Sequence, residues 1–410
     1  MSLVNFALGI LVARNSDVRG LGAFGVLYAT YVLLLGVNRS VFAEPFMIRI
    51  HHPPAVESRR PEGVRDAVCG GAGVLGLLAG LALLAASLVL PADFARYSRA
   101  FAVVLPGLLL QDGWRFILLA QRRPRRAAGM DLTWVALTAM AVLAVLVAGR
   151  ASAASLVLAW GGAATLAAAI AIIRDGGLPM PVQGLRWAHR NRDLSLPFLA
   201  ELSVLQGAGQ ATVYGIPAVA GLAAFGALKG AELLVGPINI LSMGLMAVIT
   251  PEMVRLRHRS LPQLRQALVL VGGAMALITL LWGLGILLLP AAWGRSLLGE
   301  TWEDARSIVL AVVVLRAASE LAQAAGRGLR TLEQARTCLR VQLTCFPFYV
   351  AAVLLGAWRA GALGAAVGGA MVASASVVLW WQQFGRALRV AGEDPSPHAP
   401  MPAARQSNAS

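Results

Sequence analysis

Charge is what this sequence has least of. Asp, Glu, Lys and Arg together supply 13% of its 410 residues, about half the roughly 25% of a typical water-soluble domain. So little charge cannot coat two or three soluble domains, which excludes a soluble enzyme and a disordered scaffold. Lysine occurs once, as Lys229, and the other 34 basic residues are arginine. The arginines sit between apolar stretches rather than on one continuous face, so the net charge of +15 reads as membrane topology and no nucleic-acid partner is expected.

Chemistry-bearing motifs are also missing. The three cysteines (Cys69, Cys338, Cys345) lack metal-site or disulfide spacing and read as small buried apolar residues. His51, His52, His189 and His258 fall in connections without zinc-ligand spacing. There is no Walker A loop, so ATP hydrolysis is not encoded. Gly20-Leu21-Gly22-Ala23-Phe24-Gly25 fits the dinucleotide fingerprint by letter, but it follows no strand. No cofactor and no metal are expected.

What the chain has is apolar length. Hydrophobic residues make up 58%, and a membrane span takes about 20 of them. Runs delimited by charge or Gly/Pro clusters fall at 2–13, 21–43, 66–90, 100–120, 131–149, 152–173, 195–216, 221–250, 267–290, 307–326, 341–357 and 360–384. Twelve spans exclude a single-pass receptor and make this an all-α polytopic membrane protein. The first span is too short for a bilayer at about 1.5 Å per residue: its opening half lies upstream of Met1, or it is tucked against neighbours. It has no basic n-region and does not read as a signal peptide.

Basic residues outside the spans divide 23 against 8 between the two faces as the spans alternate. The positive-inside rule puts the richer side, with both termini, in the cytoplasm. Residues 174–194 form a cytoplasmic connector with room for a short interfacial helix, and 391–410, rich in Pro, Ser and Ala, read as a disordered tail.

A duplication organises the rest. Gly20-Leu21-Gly22-Ala23-Phe24-Gly25-Val26-Leu27 returns 201 positions later as Gly221-Leu222-Ala223-Ala224-Phe225-Gly226-Ala227-Leu228. Pro45-Phe46-Met47-Ile48-Arg49 matches Pro251-Glu252-Met253-Val254-Arg255, and Leu90-Pro91 through Arg96 matches Leu289-Pro290 through Arg295. Two lobes, 1–173 and 195–390, each of six spans, insert in the same orientation and should be related by an axis along the membrane normal. That is the plan of a rocker-switch transporter.

Ionisable groups inside spans are the functional candidates. Lys229, Glu232, Gly236 and Asn239 share one helical face, as do Arg316, Glu320, Gln323 and Arg327. Ser203, Gln206, Gln210 and Tyr214 form a third stripe with Glu201 nearby, and Asp112 and Arg115 lie in the fourth span. A central Lys, Arg or Asp costs about 2.5–3.5 kcal/mol facing lipid, so these stripes face either intrahelical ion-pair partners or a water-filled cavity. Arg39 and Arg115 can also snorkel. Gly236-Pro237 is a candidate hinge, since proline removes a backbone hydrogen bond.

Asn5-Phe6, Ala13-Arg14, Gly22-Ala23-Phe24-Gly25-Val26-Leu27, Phe225-Gly226, Gly236-Pro237 and the Gly299–Ala305 stretch with Trp302 carry a resemblance. The chain resembles the polysaccharide-exporting flippases, of O-antigen and teichoic-acid type, in the multidrug/oligosaccharidyl-lipid/polysaccharide superfamily. The resemblance implies a MATE-like fold of two six-helix bundles in a bacterial plasma membrane, with the first helix truncated here. It implies a polyprenyl-pyrophosphate-linked oligosaccharide as cargo, and the glycosyltransferases or polymerase of the same pathway as partners. Lys229, Arg316, Arg115, Arg39, Asn239 and Gln210 would line the substrate cavity. Glu201, Glu232, Glu320 and Asp112 are the candidates for ion coupling. A multidrug/cation antiporter of the same fold, or a membrane-embedded glycan polymerase or ligase, are the alternatives. The last usually needs a large outward loop, and the connection at 291–306 is short.

Overall fold

Apolar chain in a hydrocarbon environment must satisfy its backbone amides internally, which leaves helices as the economical solution for these runs. In the computed structural model, which describes residues 3–50 and 61–393, every regular element among the described residues is helical. The tail from 394, and His51, His52, Arg59 and Arg60, lie outside the described residues.

The first half comprises α1 (Leu3–Arg14), α2 (Val18–Asn38), a π-helical turn (Arg39–Ala43) leading into α3 (Glu44–Arg49), α4 (Pro61–Ala86), α5 (Ala92–Ala120), α6 (Pro124–Val147) and α7 (Ala153–Arg174). The connector folds as α8 (Pro181–Arg190), whose Trp187 is buried and stacks on Phe42 at 6.4 Å. Then come α9 (Arg192–Arg259), α10 (Leu261–Leu288), α11 (Ala291–Leu298), α12 (Thr301–Thr331) and α13 (Ala335–Glu393).

Nine helical stretches among the described residues are long and apolar enough to cross a membrane. Two of them are broken. The 68 residues of α9 would span roughly 100 Å unbroken, about three times a hydrocarbon core of about 30 Å. Gly221, at φ 83°, supplies the break in a region where a side chain is strained. The packing partners show the reversal. Along α2, Thr30 meets Tyr214 and Ser40 meets Phe198, an antiparallel register, whereas Gly22 meets Gly226 and Gly25 meets Lys229, a parallel one. In α13 the break falls at Ala360 and Gly361, and Gly364 and Gly368 then pack back on the backbones of Gly356 and Ala352. With α9 and α13 each counted as two arms, and the short α1 added, the described residues give twelve helical segments that correspond to the twelve expected runs.

One of the duplicated motifs occupies an equivalent local structure in both copies. Pro91 and Pro290 both precede a helix start in extended conformation, with φ/ψ of −54°/147° and −57°/139°. The halves then diverge. α5 continues unbroken for 29 residues, while the second copy stops at Leu298, turns at Gly299 (φ 60°) and restarts as α12. The expected 291–306 loop is therefore largely helical.

Helix ends shift as well: α4 begins at Pro61 rather than 66, and α13 continues to Glu393 rather than stopping near 384. Helical propensity carries those ends past the last apolar residue. α4, α5, α6 and α7 pack on one another, as do α10, α12 and α13 with α9, and α2 against α9 joins the two sets. Gly76 and Gly80 sit against the α5 backbone at Leu105–Pro106 and Ala102, a close approach any side chain would block.

Candidate functional site

The seam where α9 meets α1, α2 and α12 carries the charge. Lys229 extends along Gly25 of α2, over the Phe225 ring at 5.1 Å, and its Nζ meets Glu232 Oε2 at 2.6 Å. One helical turn apart, the two groups form an i,i+3 pair on the face that the stripe pattern indicated. Glu232 remains half exposed, with its side chain 55% accessible, so the pair does not close the site.

A second pair lies on α12. Arg316 donates to Glu320 Oε1 at 2.6 Å, and the other carboxylate oxygen, Oε2, accepts from the Ser242 hydroxyl of α9 at 2.9 Å. Glu320 is fully buried, whereas Arg316 reaches a cavity edge and leaves a buried Nε without a partner. A buried donor of this kind carries an unmet electrostatic demand.

Three cavities share walls here. One, of about 510 Å³, lies among both arms of α9, α12 and both arms of α13, with Arg316, Ser319, Gln323, Gln342 and Tyr349 on its surface. A narrow one, about 130 Å³, lies between α1, α2 and α9, lined by Asn5, Tyr28 and Lys229. The third, about 750 Å³, is almost wholly apolar and lies among α1, α9, α10 and α11, with Pro237, Trp282, Ile286 and Leu298. Glu232 and Asn239 belong to both the first and the second, and Phe6 and Leu233 to both the second and the third. The narrow cavity thus lies between the apolar groove and the charged chamber, with two wall residues in common with each.

The structure brings Lys229, Glu232, Asn239 and Arg316 together on these cavities, with Glu320 directly behind Arg316. It places other candidates elsewhere. Arg39 pairs with Asp112 at 2.7 Å and lies 5.0 Å over the Phe116 ring, and Arg115 pairs with Asp131 of α6 at 2.9 Å, so both are held inside the first half. Helical spacing identifies a residue's face but not the neighbouring helix that face meets. Neither Arg39, Arg115, Gln210 nor Glu201 lines the three cavities; Glu201 is exposed on α9, and Gln210 holds a buried Oε1 without a partner. At Gly236-Pro237 the helix keeps helical backbone, and in this state Gly236 provides room for the Phe6 ring.

One face escaped the sequence reading. Gln342, Cys345, Phe346 and Tyr349 follow helical spacing on α13 and line the larger chamber, joined by Ser376 and Trp380. The i, i+3, i+4, i+7 pattern was the available signal. Cys345 is consequently half-buried at a cavity wall, not buried like Cys69 and Cys338. Among the described residues, no group of three or more His, Cys, Asp or Glu side chains could hold a metal ion.

No protein-family model matches the chain, and no curated protein sequence matches it. Solved structures do. An inward-facing multidrug-resistance MATE family transporter of the MOP superfamily aligns with a TM-score of 0.70 at 13% identity, over 96% of each chain. The lipid II flippase MurJ, in an inward closed conformation, aligns with a TM-score of 0.62 at 11% identity, over 95% of this chain and 88% of that one. A MATE structure in complex with MaD3S aligns at 0.55 and 14% identity, over 96% and 93%. The chain has a MATE-like fold.

That fold accounts for the multi-pass membrane architecture, and in this chain α2 packs against α9. The matching structures include both a multidrug resistance transporter and a lipid II flippase. At these identities it is the local chemistry, and not the scaffold, that bears on the cargo.

Proposed function

We propose that this protein is a transporter that flips a polyprenyl-pyrophosphate-linked oligosaccharide across a bacterial plasma membrane, by alternating access, for surface polysaccharide biosynthesis. The observation that carries the reading is the nearness of the apolar groove at Trp282 and Ile286 to the charged chamber at Arg316, with the narrow cavity at Lys229 between them. Each methylene moved from hydrocarbon into water costs about 0.8 kcal/mol, so a lipid tail stays in the groove while its polar head crosses through the chamber. A wholly water-soluble cargo would not need the apolar arm.

In this scheme Lys229 and Arg316 hold the pyrophosphate, and Asn239 and the chamber glutamines contact the glycan. Arg115 and Arg39, held here by Asp131 and Asp112, join them in another state of the cycle, with Gln210. The lobes 1–173 and 195–390 rock about the connector at 174–194, with Gly236-Pro237 as hinge. Ion binding at Glu320, Glu232, Glu201 or Asp112 couples the movement to the gradient across the membrane. Both termini face the cytoplasm, where the glycosyltransferases or polymerase of the pathway supply the cargo.

The half-exposed Glu232 carboxylate favours a second reading, a cation or multidrug antiporter on the same scaffold. Proteoliposomes containing fluorescent polyprenyl-pyrophosphate oligosaccharide separate the two. Flipping by the wild type, abolished in folded Lys229→Ala and Arg316→Ala proteins, supports the flippase. Efflux of a cationic dye without glycan flipping would replace it with the antiporter.

A further inference from the structure

A fourth cavity, about 1040 Å³, lies away from the transport seam, between the first turns of α10 and the last turns of α13. Its lining is of two kinds. Trp381, Leu388, Val269 and Leu270 are apolar, with Leu270 72% exposed. Arg265, Arg386 and Arg389 are basic, all exposed, and no acidic residue lines the cavity. Each of the other arginines near this end that forms an ion pair has its own carboxylate, as Arg257 has Glu333 and Arg255 has Glu252, but none of these three has one among the described residues.

Two further features favour an anion. α10 starts here, with Ser260 as its N-cap and Pro262 in its first turn, so the positive end of a 28-residue helix dipole points toward the same place. Behind the groove, Leu264, Leu268 and Phe384 form a packed core, so its floor is rigid. The opening beside Gly385 is unfilled: a Cβ built there would have nothing within 4 Å.

We infer that this groove is a binding site for one anionic phospholipid, whose phosphate is held by Arg265, Arg386 and Arg389 and whose acyl chains lie along Trp381, Val269 and Leu270. A free phosphate would satisfy the arginines but leave the apolar wall bare, and a neutral lipid would leave three like charges uncompensated. Three guanidiniums lining one cavity without counter-charge repel one another, and a phosphodiester relieves that repulsion while its tails cover apolar surface. The site is separate from the cavities at Lys229 and Arg316, so it serves to hold α13 against α10 rather than to bind cargo.

The experiment is native mass spectrometry and thermal unfolding of the full chain in mild detergent, titrated with phosphatidylglycerol, phosphatidylcholine or inorganic phosphate. One phosphatidylglycerol per chain should be retained at activation energies that strip phosphatidylcholine, and Tm should rise with phosphatidylglycerol alone. An Arg265→Gln/Arg386→Gln/Arg389→Gln protein should bind it at least tenfold more weakly. Should that protein fail to fold, Gly385→Phe, which fills the open groove and leaves every arginine in place, should lower retention alone. Equal retention of phosphatidylcholine, equal stabilisation by inorganic phosphate, or undiminished binding in either variant would overturn the site. Retention appearing only in a chain shortened to residue 393 would assign the groove to the tail instead.

Discussion

The Ser242 hydroxyl reaches across from α9 to donate a 2.9 Å hydrogen bond to Glu320 on α12. Because the same carboxylate holds Arg316, a movement of α9 relative to α12 alters the charge presented to the chamber. Asn38 of α2 and Arg39 of the π-helical turn make a comparable reach to Asp112 of α5. Asn38 stands 201 positions before Asn239, the offset of the sequence duplication, whereas the bond to Glu320 comes from Ser242.

Removing Glu320 should be the most damaging single change in this cluster. Glu320→Ala leaves the Arg316 guanidinium and the Ser242 hydroxyl without their partner, at a cost of about 3–5 kcal/mol. Thermal unfolding should show the loss. An Arg316→Ala/Glu320→Ala protein should regain stability but not glycan flipping; recovery of flipping in the double variant would make the pair purely structural.

Cys345 should be the thiol that reports on the chamber. It lines the cavity while Cys69 and Cys338 are buried. Brief maleimide treatment of the folded protein, read by peptide mass spectrometry, should modify Cys345 first, and lipid-linked glycan should slow that reaction. Earlier modification of Cys69 would contradict the packing described.

Gly22 and Gly226 bring α2 and α9 into backbone contact near Val18 and Leu222. A side chain at Gly226 meets the Val18 carbonyl and must force the helices apart. Spin labels at Arg19 and Val219, both exposed, should report longer distances in Gly226→Val than in the parent. An unchanged distance distribution would mean that this contact does not close the end of the bundle.

Orientation can be tested at exposed positions. In a cysteine-free background, Arg150→Cys and Ser296→Cys should react with an impermeant thiol reagent in intact cells, and Gln334→Cys should not. The reverse pattern would invert the assignment made from the arginine asymmetry.

Much of this protein was determined by the sequence by itself. Apolar run length dictated helices, because hydrocarbon offers the backbone no other partner, and the recurrence of Gly20–Leu27 at Gly221–Leu228 was legible as a duplication. Spacing along one helix also exposed the Lys229–Glu232 and Arg316–Glu320 faces, since those pairs are local. Tertiary structure alone decided what each face meets. It gave Arg115 to Asp131 and Arg39 to Asp112, brought Gln342 and Tyr349 to the chamber, and set Phe6 of α1 against Gly236. Those contacts join residues far apart in the chain, and their pairing follows from how helices pack: periodicity within a single helix fixes the direction of a side chain but carries no information about the helix it faces.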